Sequence, residues 1–139
     1  MKKPTLAEAV AAVMEGTLGT SGEEAPSWSM EIDGKMVKIT FDEVMDYIKK
    51  NNIPVTSIPV KDVFKFCAHK NKTDKETLAR SERSSLDYPI IVTKMNGKPT
   101  MVLDGHHRLL KAKNNNIDKI KAQVIDLNKA SREYQEMFT

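Results

Sequence analysis

The residues best suited to chemistry form one short run between an apolar stretch and a helix-forming stretch: Asp104, Gly105, His106, His107 and Arg108. A glycine turn that opens a helix exposes backbone N–H groups at the positive end of the helix dipole, which favours an anion. The guanidinium of Arg108 presents a planar set of donors that matches a phosphate. The imidazoles and the carboxylate can move protons or hold a metal ion. The run therefore predicts a site for phosphate chemistry.

Each residue of the run has a structural and a functional interpretation. Asp104 is either the N-cap of the helix or a magnesium ligand and base. Gly105 lets the backbone approach a phosphate, because it has no side chain. Neighbouring helical residues point about 100° apart, so His106 and His107 are not expected to share one metal ion. We predict that His107 contacts the phosphate and that His106 lines the pocket.

Two basic residues complete the predicted anion site. Arg108 is expected to clamp the phosphate, the alternative being a surface arginine placed slightly unfavourably near the positive end of the dipole. Lys111 lies one turn further along the helix and either extends the basic patch or is solvated.

The elements around this run read as mixed α and β. Strands are predicted at residues 57–63, 89–94, 98–103 and 120–127, with Asn96-Gly97 as a hairpin turn. Helices are predicted at residues 75–84, 106–114 and 128–138. The expected fold class is α+β, a mixed sheet with packed helices.

The first part of the chain carries its own strong local signals. Asp33-Gly34 between two alternating runs predicts a β-hairpin. Thr40 and Glu43 form a capping box for a helix that extends to about residue 50. We therefore predict a hairpin–helix extension over residues 28–52.

A second capping box, Thr5 with Glu8, predicts a short helix over residues 5–15, followed by a glycine-rich linker. Residues 1–27 are expected to form a flexible arm that can bind a protein partner. The main domain is then predicted at residues 53–139.

Composition bounds the function classes. The chain has 139 residues, 40% of them hydrophobic, and a net charge of +3, which is too small to argue for nucleic-acid binding from the whole-chain field. Residues 61–83 are mildly basic, with seven lysines and arginines against four acidic residues. The single cysteine, Cys67, excludes an internal disulfide. Neither a signal peptide nor a spanning segment is recognisable, so a cytoplasmic location without membrane contact is expected.

Residues 86–112 carry a more specific pattern. Pro89-Ile90-Ile91-Val92, a short hairpin, and then Val102-Leu103-Asp104-Gly105-His106-His107-Arg108-Leu109-Leu110 resembles the ParB/sulfiredoxin-like superfamily. The resemblance spans about residues 53–127. It implies a small α/β fold in which the turn at residues 105–108 binds the phosphates of ATP or another nucleotide, with Mg²⁺ held by Asp104.

Departures from the family narrow the choice of branch. Sulfiredoxins place a catalytic cysteine where this chain has His106, and partition proteins have a Glu-Arg-Arg turn and a further DNA-binding domain. The sequence is closest to the free serine kinases and to small phage-type ParB-like nucleases. The kinase branch implies a glutamate base upstream of the strand at 89–94, for which Glu82 and Glu76 are the candidates; a charged helix face is the preferred structural alternative for both.

Three functions follow from this resemblance and these residues. The first is a nucleotide-binding protein that hydrolyses or transfers a phosphoryl group, with Asp104, His106, His107 and Glu82 as catalytic candidates. The second is a ParB-like nuclease or nucleic-acid-binding protein that contacts DNA or RNA. The third is a non-catalytic adaptor that binds a protein partner through its N-terminal arm.

Overall fold

The computed structural model describes residues 26–139, which form an α+β structure with a mixed sheet, as the sequence predicts. The strands are β1 (Ser27–Ile32), β2 (Lys35–Thr40), β3 (Val55–Pro59), β4 (Ile90–Met95), β5 (Lys98–Asp104) and β6 (Lys119–Asp126). The helices are α1 (Phe41–Lys50), α2 (Val60–Val63), α3 (Lys75–Arg83), α4 (His106–Asn114) and α5 (Arg132–Phe138). Short 3₁₀ turns lie at Phe64–Phe66 and Leu127–Lys129.

Four strands form the main sheet in the order β3-β6-β4-β5. β6 runs parallel to β4, whereas the β3–β6 and β4–β5 pairs are antiparallel. β1 and β2 form a separate antiparallel hairpin. Because β5 leads directly into α4, the sheet fixes the position at which that helix starts.

Both predicted hairpin turns are confirmed. Asp33 and Gly34 have φ values of 52° and 79°, and Asn96 and Gly97 have values of 52° and 78°. Two consecutive residues with positive φ give the tight turn whose twist matches that of the flanking strands.

The capping box of α1 is also confirmed. The Thr40 hydroxyl accepts a hydrogen bond from the Glu43 backbone N–H at 3.1 Å, and the Glu43 carboxylate accepts one from the Thr40 backbone N–H at 3.4 Å. Two N–H groups that the helix itself leaves unpaired are thereby satisfied.

The main sheet buries both of its faces. On one face Ile91, Leu103 and Ile125 pack against the hairpin, α1 and α5. On the other face Ile90, Val92 and Val102 pack against α2 and α4. Side chains that alternate between the two faces of β4 and β5 therefore contribute to two hydrophobic layers, and α4 packs against the second of them.

Some boundaries differ from the prediction. The strand expected over residues 57–63 ends at Pro59, where Val60 donates its N–H to the Asp118 carbonyl at 2.8 Å and the chain turns into α2. The C-terminal helix begins at Arg132, capped by the Ser131 side chain.

The helix predicted over residues 5–15 and nearly all of the arm at 1–27 lie outside the described residues. None of the described helices is both long and apolar enough to cross a membrane.

Candidate functional site

α4 starts directly after β5, and its N-cap residue is Gly105 in the left-handed conformation, with φ of 96° and ψ of 25°. Among residues 26–139, no side chain caps this helix end. Asp104 is therefore not the N-cap residue of this helix, which was one of its two predicted roles. The first turn of α4 keeps backbone N–H groups without a side-chain acceptor, which is the condition under which a helix end attracts an anion.

Packing explains why residue 105 is a glycine. A Cβ atom placed on Gly105 would lie 2.9 Å from Ile90 Cβ and 3.0 Å from Arg108 Nη2, and would also overlap Ile90 Cγ2. The missing side chain thus makes room for β4 and for the Arg108 guanidinium. Closeness to a phosphate is not needed to account for the glycine.

Arg108 is held in a fixed position by two acceptors. Its Nη2 donates to Asp104 Oδ2 at 3.2 Å and to the Pro89 carbonyl at 3.2 Å. Both charged side chains are largely buried, with 18% of Arg108 and 16% of Asp104 exposed. The ion pair joins the end of β5 to the first turn of α4, and the bond to Pro89 ties that turn to the residue before β4. Asp104 therefore positions Arg108 in this arrangement.

His106 points into the protein and is 1% exposed. Its Nδ1 accepts a hydrogen bond from the Ala68 backbone N–H at 3.0 Å, and its carbonyl faces the Cys67 thiol at 3.4 Å. Burial, followed by the nearby His69, His107 and Arg108, lowers the pKa of His106 to about 3. The imidazole is thus neutral near pH 7 and joins α4 to the segment at residues 67–69.

All three histidines of the chain meet at the start of α4. The ring of His69 lies 4.3 Å from that of His107 and 6.1 Å from that of His106, centroid to centroid. His69 is fully buried. His69 could not be predicted as part of this cluster from the sequence, because it lies far upstream in a segment without a regular pattern.

The Cys67 thiol lies beside the histidine cluster, 3.4 Å from the His106 carbonyl. It is 3% exposed, and burial raises its pKa to about 11. Its thiolate is therefore scarce at neutral pH, which indicates a structural role and does not favour a nucleophile.

His107 lines a polar cavity of about 300 Å³. The other residues around this cavity come from α3 and the loop before it, and they are Lys72, Asp74, Glu76, Thr77 and Arg80. Ser81 of α3 fixes the neighbouring backbone by donating to the His107 carbonyl at 3.0 Å. The N-terminal ends of α3 and α4 thus border one cavity.

The two carboxylates of the cavity have different partners. Asp74 caps α3 and accepts hydrogen bonds from the Thr77 N–H at 2.9 Å and hydroxyl at 2.8 Å, which lower the pKa of Asp74. Glu76 lies 3.2 Å from Arg80. The cavity therefore offers both cationic groups for an anion and carboxylates that can accept a proton.

Two predicted site residues lie further along α4. Lys111 Nζ donates to the carbonyls of Glu82 and Ser84, at 2.9 and 2.8 Å, and so binds the C-terminal end of α3. The Glu82 carboxylate accepts a hydrogen bond from Asn115 at 3.1 Å, beyond the last turn of α4. At about 1.5 Å per residue, Glu82 lies more than 10 Å along the helix from its start.

The residues of the predicted site therefore face different surroundings. Asp104 and Arg108 face β4, His106 faces the segment at 67–69, and His107 faces α3. Within residues 26–139, no three or more histidine, cysteine or acidic side chains are grouped to hold a metal ion. A magnesium ion would therefore need ligands from a bound molecule.

The comparisons with known proteins add no relative. No protein-family model matches the chain, and searches of curated proteins and of solved structures find no match. Any relation to the ParB/sulfiredoxin-like superfamily therefore depends on the motifs between residues 86 and 112.

Proposed function

We propose that this protein has a ParB/sulfiredoxin-like fold and binds the phosphate groups of a nucleotide between the N-terminal ends of α3 and α4. It then hydrolyses the nucleotide or transfers a phosphoryl group to a small hydroxyl compound. The observation that carries the proposal is the start of α4, which has no side-chain cap and lies beside a cavity lined by Lys72, Arg80 and His107.

The phosphate groups would be held by two kinds of donor. Backbone N–H groups in the first turn of α4 supply the positive end of the helix dipole. His107, Lys72 and Arg80 supply side-chain donors from the cavity wall. Arg108, whose charge is balanced by Asp104 and whose Nη2 donates to the Pro89 carbonyl, holds the first turn of α4 in place. Fixed charges of this kind stabilise the transition state of phosphoryl transfer.

The chemical step needs an acceptor for one proton. The oxygen of water or of the hydroxyl compound bonds to the terminal phosphorus, the bond to the bridging oxygen breaks, and the attacking group loses its proton. Asp74 and Glu76 are the carboxylates of the cavity that can take it. These two residues would also hold Mg²⁺ together with phosphate oxygens, and the ion would neutralise charge on the phosphates.

Calorimetry and thermal-shift measurements with ATP, ADP, CTP and GTP, each with Mg²⁺, test the binding step. One nucleotide should stabilise the protein, by about 2.7 kcal/mol at 100 times its dissociation constant. Arg80→Gln and Lys72→Gln should weaken its binding about tenfold or more, because each removes a charged donor. Arg108→Ala should also weaken it.

Arg83→Gln is the matched control, because Arg83 is an exposed arginine of the same helix that does not line the cavity. Its affinity should equal that of the wild type. No stabilisation by any of the four nucleotides, or equal losses in Arg80→Gln and Arg83→Gln, would refute the proposed site.

A further inference from the structure

A second cleft, of about 420 Å³, lies at the opposite end of α4 from the histidines. Three lysines from three parts of the chain line it: Lys61 of α2, Lys113 of α4 and Lys119 of β6. We call this feature the lysine cleft. Pro59, Val60 and Ile117 give it apolar walls, and Asp118 is the single carboxylate among its lining residues.

The three lysines are not neutralised by their surroundings. All are exposed, and none forms an ion pair with a carboxylate among residues 26–139. The chain as a whole has a net charge of only +3. The cleft therefore places three positive charges and one carboxylate on a single concave surface, which favours a negatively charged ligand.

The lysines are also not required to cap α4. The backbone N–H groups of Asn115, Asn116 and Ile117 already bond to the last carbonyls of the helix, at 3.0, 3.2 and 2.9 Å. A lysine near a helix C-terminus commonly serves those carbonyls. Here that need is met by the backbone, so the ammonium group of Lys113 is available to a ligand.

One aromatic ring, that of Phe64, lies against a lysine of the cleft, and a second cation–ring pair, Lys65 with Phe66, lies close by in the sequence. Lys113 Nζ lies 5.6 Å from the centroid of the Phe64 ring, and Lys65 Nζ lies 5.2 Å from that of Phe66. Both rings are only partly buried. Cations that alternate with aromatic faces are the arrangement by which proteins bind single-stranded nucleic acid, because the cations meet phosphates and the rings meet bases.

We propose that the lysine cleft binds a single-stranded nucleic acid, with the backbone phosphates against Lys61, Lys113 and Lys119 and a base against Phe64. The site is separate from the cavity proposed to bind a nucleotide, since the two are lined by residues at opposite ends of α4, Lys113 and His107. It does not depend on the proposed nucleotide chemistry. A single-stranded nucleic acid fits this cleft because its phosphates carry negative charges along a line and its bases are exposed for stacking.

Fluorescence anisotropy with a labelled single-stranded oligonucleotide tests the proposal over 50–200 mM salt. With three phosphates bound, one at each lysine, the affinity should fall about 20-fold over that range. Replacing all three lysines, as Lys61→Gln, Lys113→Gln and Lys119→Gln, should lower the magnitude of the logarithmic salt slope by about 2. Phe64→Leu should weaken binding about tenfold through lost stacking while leaving the slope unchanged.

A second triple variant controls for net charge. Lys35→Gln, Lys38→Gln and Lys98→Gln remove the same charge from exposed lysines of β2 and β5 that do not line the cleft. This variant should bind like the wild type. Equal weakening in both triple variants, tighter binding of a duplex than of the single strand, or full competition by inorganic triphosphate at equal phosphate concentration would overturn the proposal.

The two proposed sites can fail independently. Arg80→Gln should leave oligonucleotide binding unchanged, and the cleft variant should leave nucleotide binding unchanged. Loss of oligonucleotide binding in Arg80→Gln would overturn the separate cleft and assign the nucleic acid to the other cavity.

Discussion

Two separate constraints exclude a Cβ atom at residue 105. The φ of 96° is disfavoured for residues with a side chain, and a Cβ atom there would meet Ile90 and the Arg108 guanidinium. Gly97 has a similar φ of 78° but no atom within 4 Å of the corresponding position. Comparing alanine substitutions at the two glycines therefore separates the cost of backbone strain from the cost of steric overlap.

We expect Gly105→Ala to lower the free energy of unfolding by about 2–5 kcal/mol, the sum of strain and overpacking. Gly97→Ala should cost only the strain, about 1–2 kcal/mol. Urea denaturation monitored by circular dichroism measures both values. Equal losses in the two variants would show that Ile90 can move aside.

At the level of elements, the hairpin and the C-terminal helix share one core with the main sheet. The ring of Trp28, in β1, lies 5.4 Å from that of Phe138, in α5, in an edge-to-face arrangement. Both side chains are 1% exposed or less. Burial of two large aromatic side chains between these elements and the sheet couples them energetically.

Trp28→Ala should therefore destabilise the whole described structure by about 3–5 kcal/mol. Met36→Ala, at a side chain 73% exposed on the same hairpin, should change stability by less than about 0.5 kcal/mol. Hydrogen exchange should show the sheet and the hairpin losing protection together in Trp28→Ala. Loss of protection in the hairpin alone would mean that it folds as a separate unit.

Local signals explain which elements could be predicted from the sequence. The turns at Asp33-Gly34 and Asn96-Gly97 and the capping box of Thr40 are set by neighbours a few residues apart. The position of His69 against His107 depends on how residues 67–72 pack on α4, which no short pattern encodes. The role of Lys111 could not be predicted either, because its ammonium group binds carbonyls at the end of α3, about 30 residues upstream.

At the scale of the whole molecule, stability should depend on pH because of the buried histidine cluster. The pKa of His106 is about 3 in the folded protein, against about 6.5 in an unfolded chain. Between these values the unfolded state binds more protons, so stability decreases as the pH falls below about 6.5.

We expect the His106 contribution to lower the free energy of unfolding by about 2 kcal/mol between pH 7 and pH 5. His106→Asn should remove this part of the pH dependence, whereas Cys67→Ala, in the same layer, should keep it. Urea titrations at several pH values measure the effect. In the wild type, an NMR titration in which His106 becomes protonated near pH 6.5 without unfolding would contradict it.

The two outer strands of the sheet bear on aggregation. β3 is five residues long and ends in Pro59, and β5 carries Pro99 beside irregularities in its pairing with β4. Proline has no N–H to donate, and a short or irregular edge gives an incoming strand few bonding partners. The folded protein should therefore resist the strand-to-strand joining from which fibrils grow, even at high concentration.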